Sequence, residues 1–271
     1  MSSEPTTPAP PTTHPARRLA GKIAVVLGAS SGLGRAAALR FASEGATVIA
    51  AARRLPALET LARECNAIPV PCDITRDDQV AALAQLALER YGTLDIALNT
   101  AGFEQSTPIR DLTPERLHAM ASVQFLGAVS FIRHMANAMA ASGGGSLITI
   151  SSITARLVGE GLAAYGGSKA AIDHITRIAA LEYGPHGVRV NVVSPGLIET
   201  PMTAHMFVPP VVRAFIRETP LRRMGTVDDV VEAITWLASD AASFITGHDL
   251  PVDGGQLTRR LPDRDDFLAS R

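Results

Sequence analysis

The sequence predicts an α/β fold: a single domain with a doubly wound, mostly parallel sheet of seven strands and helices on both faces. Two observations predict it. Short apolar runs alternate with helical stretches from Lys22 onward, and a glycine-rich turn joins the first run to the first helix. Parallel strands need crossover helices, and right-handed crossovers place those helices on both faces of the sheet. A TIM barrel is the competing α/β fold, and the glycine turn argues against it.

The seven candidate strands are short, apolar and bounded by turn residues. They comprise residues 23–27, 47–51, 68–70, 96–99, 146–150, 189–193 and 249–252. Nearly continuous apolar runs of this kind are typical of parallel strands that are buried on both sides.

The sequence predicts where three of the helices begin. Thr113 precedes a proline, which is the pattern of an N-cap followed by proline at the first helical position. Thr75 and Thr226 each precede an aspartate by three residues, which resembles a capping box with Asp in place of Glu.

Composition narrows the class of partner. A net charge of -1 over 271 residues gives no field that attracts nucleic acid or an anionic membrane, so a small molecule is the expected partner.

Cys65 and Cys72 fit neither a disulfide framework nor a metal site, and we predict buried thiols in a reducing compartment. No histidine pair has metal-ligand spacing, and no apolar run is long enough for a membrane span or a secretory signal. We therefore expect a cytoplasmic protein without a metal.

The chain divides into three parts. Residues 1–18 are rich in Pro, Thr and Ser and are predicted to be a disordered arm, whereas residues 19–255 form the catalytic domain. Residues 256–271 form a C-terminal tail in which Leu261 and Phe267 are candidates for packing on a neighbouring subunit.

The glycine-rich turn is a candidate phosphate site. It comprises Gly28, Ala29, Ser30, Ser31, Gly32, Leu33 and Gly34. Glycines let a phosphate approach the backbone N–H groups, and the N-terminus of the following helix supplies partial positive charge. A dinucleotide pyrophosphate fits this turn, and a tight connection without a ligand is the alternative.

Tyr165 and Lys169 form a candidate catalytic pair. Only two lysines occur in the chain, and Lys169 stands four residues after Tyr165, which puts both side chains on one face of a helix. A nearby ammonium lowers the pKa of a phenol and makes it usable as an acid or base near neutral pH. The alternative is a solvated pair on an amphipathic helix.

The motifs together resemble the short-chain dehydrogenase/reductase family, in its branch of about 250 residues with GxxxGxG and YxxxK motifs. They are Gly28-x-x-x-Gly32-x-Gly34, Asn99-Thr100-Ala101-Gly102, Ser152, Tyr165-x-x-x-Lys169 and Pro195-Gly196. The resemblance covers residues 20–255 and implies a Rossmann-type sheet that binds NAD(H) or NADP(H), in a homo-oligomer that is a tetramer or a dimer.

The resemblance also implies which residues contact the cofactor. In addition to the glycine turn, the implied cofactor contacts are Asp73, Ile74, Asn99, Ala101, Gly102, Tyr165, Lys169, Pro195, Gly196, Ile198 and Thr200. Relatives that prefer NAD place an acidic residue where this chain has Ala52, and the next residues are Arg53 and Arg54. We predict a preference for NADP(H) over NAD(H), with Arg53 as the main contact to the 2′-phosphate and Arg54 as its helper. A solvated pair of loop arginines is the alternative.

By the same resemblance, Ser152 binds a carbonyl oxygen and Tyr165 is the general acid/base. Lys169 holds the nicotinamide ribose and lowers the phenol pKa, with help from the charge of the oxidised ring. Gln124 stands where relatives carry an asparagine that binds a water of the proton relay, and it is kept outside the predicted catalytic set.

The predicted reaction interconverts a ketone and a secondary alcohol. Enoyl reductases of the family separate tyrosine and lysine by six residues, so the spacing of four favours carbonyl chemistry. Met202 and Phe207 in the presumed covering segment suggest a medium-sized, weakly polar substrate, with helix packing at a subunit interface as the alternative. A 3-oxoacyl-carrier-type ketoreductase and a non-catalytic NADP(H)-binding sensor or scaffold are the other functions considered.

Overall fold

The structure of the protein is a computed structural model that describes residues 17–258. Most of the predicted arm, residues 1–18, and of the predicted tail, residues 256–271, lies outside the described residues, as do Leu261 and Phe267. Arg18, at the end of the predicted arm, donates hydrogen bonds to the carboxylates of Glu44 and Glu232.

The predicted seven-stranded sheet is confirmed. Its strands are β1 (Ile23–Leu27), β2 (Thr47–Ala52), β3 (Ile68–Pro71), β4 (Ile96–Asn99), β5 (Gly145–Ile150), β6 (Val188–Pro195) and β7 (Asp249–Val252). They pair in the order β3-β2-β1-β4-β5-β6-β7, and all six pairings are parallel. The order reverses between β1 and β4, and a crevice at the carboxyl ends of such strands is the usual ligand site of this architecture.

Eight α-helices connect the strands of the described chain. They are α1 (Gly32–Ser43), α2 (Leu55–Cys65), α3 (Asp77–Tyr91), α4 (Pro114–Ala121), α5 (Ala128–Ala141), α6 (Ala163–Tyr183), α7 (Pro209–Glu218) and α8 (Val227–Ala238).

The helices cover both faces of the sheet, as predicted. One core packs α1, α2 and α8 against side chains such as Val26, and the other packs α3, α5 and α6 against side chains such as Val25. Neighbouring residues of β1 thus point to opposite cores, because successive side chains of a strand alternate. This two-sided burial fixes the register of the strands and the place where each one ends.

Two of the three predicted helix starts are confirmed. The Thr113 side chain accepts from the Arg116 N–H, and Thr226 forms a full capping box with Asp229. The capping box predicted at Thr75 is wrong, because α3 begins only at Asp77 and the Thr75 hydroxyl donates to Asp73 Oδ1 at 2.9 Å. A local turn closed by Asp73 competes here with the cap.

A π-helical turn over residues Ser122–Gly127 joins α4 to α5, so the three form one continuous helical segment. A Cβ on Gly127 would lie 2.8 Å from the carbonyl oxygen of Ile74, so glycine lets the segment approach the loop after β3. Gln124 lies in this turn and is buried. Single π-turns inside helices are frequent at functional sites.

The two cysteines, both predicted to be buried, differ in their exposure. Cys72 is buried as predicted, whereas Cys65 is only partly buried because it lies at the end of α2, and both thiols are free. Among residues 17–258, no helix combines the length and the apolarity needed to cross a membrane.

Candidate active site

The glycine turn is shaped by the side chain of Thr100. Its hydroxyl donates to the carbonyl oxygen of Leu27 at 2.9 Å and lies beneath the turn. A Cβ on Gly28, which has a φ of 94°, would lie 2.4 Å from Thr100 Oγ1, and one on Gly34 would lie 2.3 Å from the same atom. Both contacts are impossible for a real side chain, so glycine is required at both positions. The backbone N–H groups at the start of α1 are thereby left open to a ligand.

A cleft of about 310 Å³ opens above this turn, at the carboxyl ends of the central strands. The structure brings most of the predicted cofactor residues to its wall: Gly28, Ser30, Ser31, Gly32, Leu33, Gly34, Arg53, Arg54, Asp73, Ile74, Ala101, Gly102, Tyr165, Lys169 and Thr200. Phe103, Val123, Gln124 and Met202 lie in the same wall. Sequence reasoning missed Phe103 and Val123, although their places directly beside Gly102 and Gln124 are a usable signal.

Four predicted cofactor residues lie outside the cleft wall. Asn99 is buried and accepts from the Ala101 N–H at 3.0 Å, so it shapes the turn after β4. Pro195 ends β6, and the Gly196 N–H donates to the Val252 carbonyl oxygen at 3.0 Å. The Ile198 side chain is buried. These residues position the loop that carries Thr200 to the cleft.

Arg54 is bound to the glycine turn. Its Nη2 lies 3.0 Å from the hydroxyl oxygens of both Ser30 and Ser31. Arg53 lines the cleft as well, and its charge helps hydrogen bonds from Thr75 to lower the pKa of the Asp73 carboxyl. Two guanidinium groups therefore flank the end of the cleft that holds the glycine turn, and the residue before them is Ala52 and not a carboxylate.

Tyr165 and Lys169 lie one turn apart on α6, with Lys169 Nζ 5.5 Å from the centroid of the Tyr165 ring. The ammonium donates to the Ile150 carbonyl oxygen at 2.7 Å, which ties α6 to the end of β5. Both side chains are buried. This arrangement is not the solvated pair considered as the alternative.

Ser152 lies two residues after the end of β5. Its hydroxyl acts on the Tyr165 phenol and favours a lower phenol pKa. Its Oγ accepts from the N–H of Thr154 at 3.1 Å and from the Thr154 hydroxyl at 2.9 Å. Ser151 points the other way and donates to Asp173, so Ser152 is the serine on the side of Tyr165.

The two pKa values are set mainly by burial. Burial raises the pKa of Tyr165 to about 12, the charge of Glu104 acts in the same direction, and the hydrogen bond with Ser152 opposes them. Burial lowers the pKa of Lys169 to about 8 against the attraction of Asp173. The predicted lowering of the phenol pKa is therefore not produced by the protein's own groups, because desolvation of the phenol outweighs them.

Behind Lys169 lies a buried acidic pair, Asp173 and Asp249. Ser151 donates to Asp173 at 2.5 Å, Ser194 donates to Asp249 at 2.6 Å, and Arg156 forms an ion pair with Asp249. Burial and the neighbouring Asp249 raise the pKa of Asp173 to about 6. This network joins α6, β6 and β7 behind Lys169.

Gln124 lies in the π-helical turn and lines the cleft. It is 2% exposed, and its Nε2 donates to the Phe103 carbonyl oxygen at 2.5 Å. Its Oε1 has no hydrogen-bond partner among residues 17–258. The same part of the chain contains no group of three His, Cys, Asp or Glu side chains that could hold a metal ion.

Comparison with known proteins decides the family. Residues 28–256 match the family described as enoyl-(acyl carrier protein) reductase. A 3-oxoacyl-[acyl-carrier-protein] reductase of Thermotoga maritima is 33% identical over 244 residues, which are 88% of this chain and 98% of that protein. The chain belongs to the short-chain dehydrogenase/reductase family. It is therefore an oxidoreductase acting on CH–OH or C=O groups.

Two solved short-chain dehydrogenase/reductase structures carry a cofactor. A gluconate 5-dehydrogenase from Burkholderia cenocepacia, in complex with NADP and tartrate, has a TM-score of 0.86 and 29% identity, and the match covers 90% of this chain and 98% of that one. A 7α-hydroxysteroid dehydrogenase, in complex with NADH and a 7-oxo bile acid, has a TM-score of 0.83 and 31% identity, with coverages of 89% and 96%. Members with this fold thus bind either nicotinamide cofactor.

Proposed function

We propose that the protein is an NADP(H)-dependent oxidoreductase that interconverts a ketone and a secondary alcohol. The observation that carries the proposal is that Tyr165 and Lys169 line the same cleft as the glycine turn and two arginines, while Ser152 lies near enough to Tyr165 to act on the phenol pKa. The cleft thus joins an acid/base group to an anion site.

The residues of the cleft fit a dinucleotide. Thr100 leaves no room for a Cβ at Gly28 or Gly34, so the backbone of the turn is open to the pyrophosphate. Arg53 and Arg54 would bind the 2′-phosphate, and Arg54 is already held beside the turn by the two serines. Asp73 and Ile74 would hold the adenine, and the loop that carries Thr200 would hold the nicotinamide. When bound, the cofactor donates or accepts a hydride at its nicotinamide ring.

Tyr165 transfers the proton at the substrate oxygen. With a pKa of about 12 the phenol is protonated at neutral pH, which suits it to donate a proton during ketone reduction. The lone pairs of Ser152 Oγ are engaged by Thr154, so the serine hydrogen is directed to a further acceptor such as the carbonyl oxygen. Lys169 is charged below about pH 8 and lines the cleft, and we assign it to bind the ribose hydroxyls.

The substrate we propose is medium-sized and weakly polar. Phe103 and Met202 give the cleft wall an apolar part beside the catalytic group. The four-residue spacing of Tyr165 and Lys169 favours carbonyl reduction over the enoyl reduction named in the family description. A 3-oxoacyl-carrier ketoreductase is the second candidate, and the Thermotoga relative favours it.

We also propose that the protein is a homo-oligomer. Two large apolar side chains, Leu181 on α6 and Phe244 before β7, are exposed to solvent, with 78% and 101% of the reference area of each residue accessible. Sedimentation of the full chain measures its mass. A monomer at micromolar concentration would contradict this.

Turnover of a panel of ketones tests the function. The wild-type protein is expected to oxidise NADPH faster than NADH with at least one ketone, and Tyr165→Phe to lose about 10²- to 10⁴-fold in rate. Tyr183→Phe is the matched control, since it removes another phenol of α6 whose hydroxyl donates to Asn137 outside the cleft. Equal rates for wild type and Tyr165→Phe would contradict the mechanism. Tight NADPH binding without turnover of any ketone would favour a sensor or scaffold.

A further inference from the structure

Residues 151–156, here called the serine segment, carry Ser152 between two buried carboxylates. At the first end of the segment, the Ser151 hydroxyl donates to Asp173 Oδ1 at 2.5 Å, and the Ser151 N–H donates to the Val193 carbonyl oxygen at 2.8 Å. Asp173 is 5% exposed, so water competes little for this hydrogen bond. A hydrogen bond to an ionised acceptor is about twice as strong as a neutral one. Ser151 is therefore held from α6 and from β6 at once.

The other end of the serine segment is held by β7. Arg156 forms an ion pair with Asp249 at the start of β7, and Ser194 donates to the same carboxylate at 2.6 Å. Asp249 is buried, whereas much of the Arg156 side chain is exposed. Between the two ends lies one short helical turn, Ile153–Ala155, which begins at Ser152. The segment is therefore short and is held on both sides of Ser152.

Asp173 also connects the serine segment to Lys169. The two residues are four apart on α6 and lie on one face of the helix. Lys169 donates to the carbonyl oxygen of Ile150 at 2.7 Å, and the next residue, Ser151, donates to Asp173. Two consecutive residues of the chain are thus bound by two consecutive turns of α6. Because Tyr165 lies one turn before Lys169, these contacts fix the position of the serine segment relative to the phenol.

Two carboxylates in one buried network are costly to the fold. A carboxylate loses its hydration on burial, and its partners offset that loss only where the geometry is good. Burial and the charge of Asp249 both raise the pKa of Asp173, so the two carboxylates disfavour each other's ionised form. Apolar side chains would fill the same space without this cost. A need for accurate placement of the serine segment accounts for both carboxylates.

We propose that Asp173 and Asp249 are positioning residues that hold Ser152 in place. Each carboxylate binds one end of the serine segment, and both lie outside the cleft wall, so they act through the residues that they bind. The Ser152 hydroxyl acts on the Tyr165 phenol, so a displaced segment impairs proton transfer and leaves the glycine turn intact. This inference rests on the proposed function and adds two residues to it.

Ser151→Ala tests the tie to Asp173. We expect it to lower kcat for ketone reduction with NADPH by about 10- to 100-fold, since a displacement of about 1 Å can have an effect of this size. The NADPH dissociation constant is expected to change much less. Asp173→Asn keeps an acceptor oxygen for the Ser151 hydroxyl and should lose less than Asp173→Ala. Ser146→Ala is the matched control with wild-type kcat, because it removes another buried serine hydroxyl of β5, which donates to the Leu237 carbonyl oxygen far from the serine segment.

Arg156→Ala tests the second tie. It is expected to lower kcat in the same way, and Arg156→Lys to restore part of the loss, because a lysine still pairs with Asp249. Arg110→Ala, at an exposed arginine outside this network, is the control. A wild-type kcat in Ser151→Ala, or an equal loss in Ser146→Ala, would overturn this inference and leave the proposed function standing.

The position of the serine segment is also measurable without turnover. The chain has only two lysines, so the ε-methylene NMR signals of isotope-labelled lysine report on Lys169 directly. Ser151→Ala is expected to shift the Lys169 signal, because the carbonyl group of Ile150 moves with the segment, and Ser146→Ala to leave it in place. An unchanged Lys169 signal in Ser151→Ala would contradict the positioning role. The expected shift in a protein that reduces no ketone would support the tie and contradict the proposed function.

Discussion

The guanidinium of Arg54 lies 3.0 Å from the hydroxyl oxygen of Ser31, so the residue at the N-cap of α2 is bound to the residue at the N-cap of α1. A second hydrogen bond of equal length reaches Ser30. A flexible cation is thereby restricted to the rim of the cleft beside the glycine turn, and this restriction reduces the entropy that the side chain would lose on binding an anion.

Arg54→Ala is expected to lower kcat/KM for NADPH by about 10- to 100-fold, because a hydrogen bond to a charged group is lost. The value for NADH should change much less. Arg53→Ala is expected to act in the same direction, and Arg63→Ala, at an exposed position in the last turn of α2, is the control. Steady-state kinetics with both cofactors measures the ratio. An unchanged ratio in both cleft variants would refute the proposed NADP(H) preference.

Gly34→Ala is expected to destabilise the protein by about 1–3 kcal/mol or more, because overpacking forces the backbone to move. Its Cβ would lie 2.3 Å from Thr100 Oγ1 and 2.4 Å from the Gly28 carbonyl oxygen. Gly167→Ala is the matched control in α6, where a Cβ meets nothing within 4 Å and alanine should stabilise by about 0.5–1 kcal/mol. Thermal unfolding of the two variants measures the contrast. A melting temperature for Gly34→Ala equal to that of wild type would show that the contact is easily relieved.

Ketone reduction is expected to become slower as the pH rises through about 8, where the Lys169 ammonium loses its proton. The pKa of Tyr165 is about 12, so the phenol stays protonated over the same range. We therefore assign the decrease in rate to deprotonation of Lys169. Lys169→Arg keeps a charge at every accessible pH, and its residual activity should lack the descent. Profiles of kcat/KM against pH, with NADPH dissociation constants measured in parallel, test this. An identical descent in Lys169→Arg would assign it to another group.

The buried pair Asp173 and Asp249 should make stability depend on pH. Because the folded pKa of Asp173 is raised to about 6, the folded state holds a proton that the unfolded chain releases near pH 4. The stabilisation from this proton is complete below about pH 4 and is lost as the pH rises through about 6. Asp249→Asn removes the neighbouring carboxylate and should reduce this loss.

The measurement is the difference between melting temperatures at about pH 5 and about pH 7, in wild type and Asp249→Asn. Asp228→Asn, at an exposed carboxylate of α8, is expected to keep the wild-type difference. A difference as large in Asp249→Asn as in wild type would contradict the assignment of this pH dependence to the pair.

Local patterns were sufficient to predict the strands and the glycine turn. Residues 23–27 and 96–99 are apolar runs bounded by turn residues, and burial on both faces leaves such runs no other structure. β6 runs on to Pro195, two residues beyond its predicted end, because β7 continues to pair with it. A local sequence pattern does not show which distant strand pairs with a segment, so the additional length of β6 was not predicted.

The features near the site that were not predicted have both local and long-range causes. A local hydrogen bond from the Thr75 hydroxyl to Asp73 Oδ1 replaces the predicted cap of α3. The pKa of Tyr165 depends on how completely the fold buries the phenol, and Arg54 meets its serines only because β1 and β2 are neighbours.

The π-helical turn at residues 122–127 sets the rotational phase between α4 and α5. Each residue of an α-helix advances the chain by about 100°, so the one extra residue of a π-turn rotates everything after it. Before the turn, Met120 packs in the same cluster as Tyr165; after it, Phe131 and Met135 pack in the core beneath the sheet. One helical segment thus presents differently oriented faces to two neighbours, and removing a single residue from the turn would place α5 out of phase with the sheet.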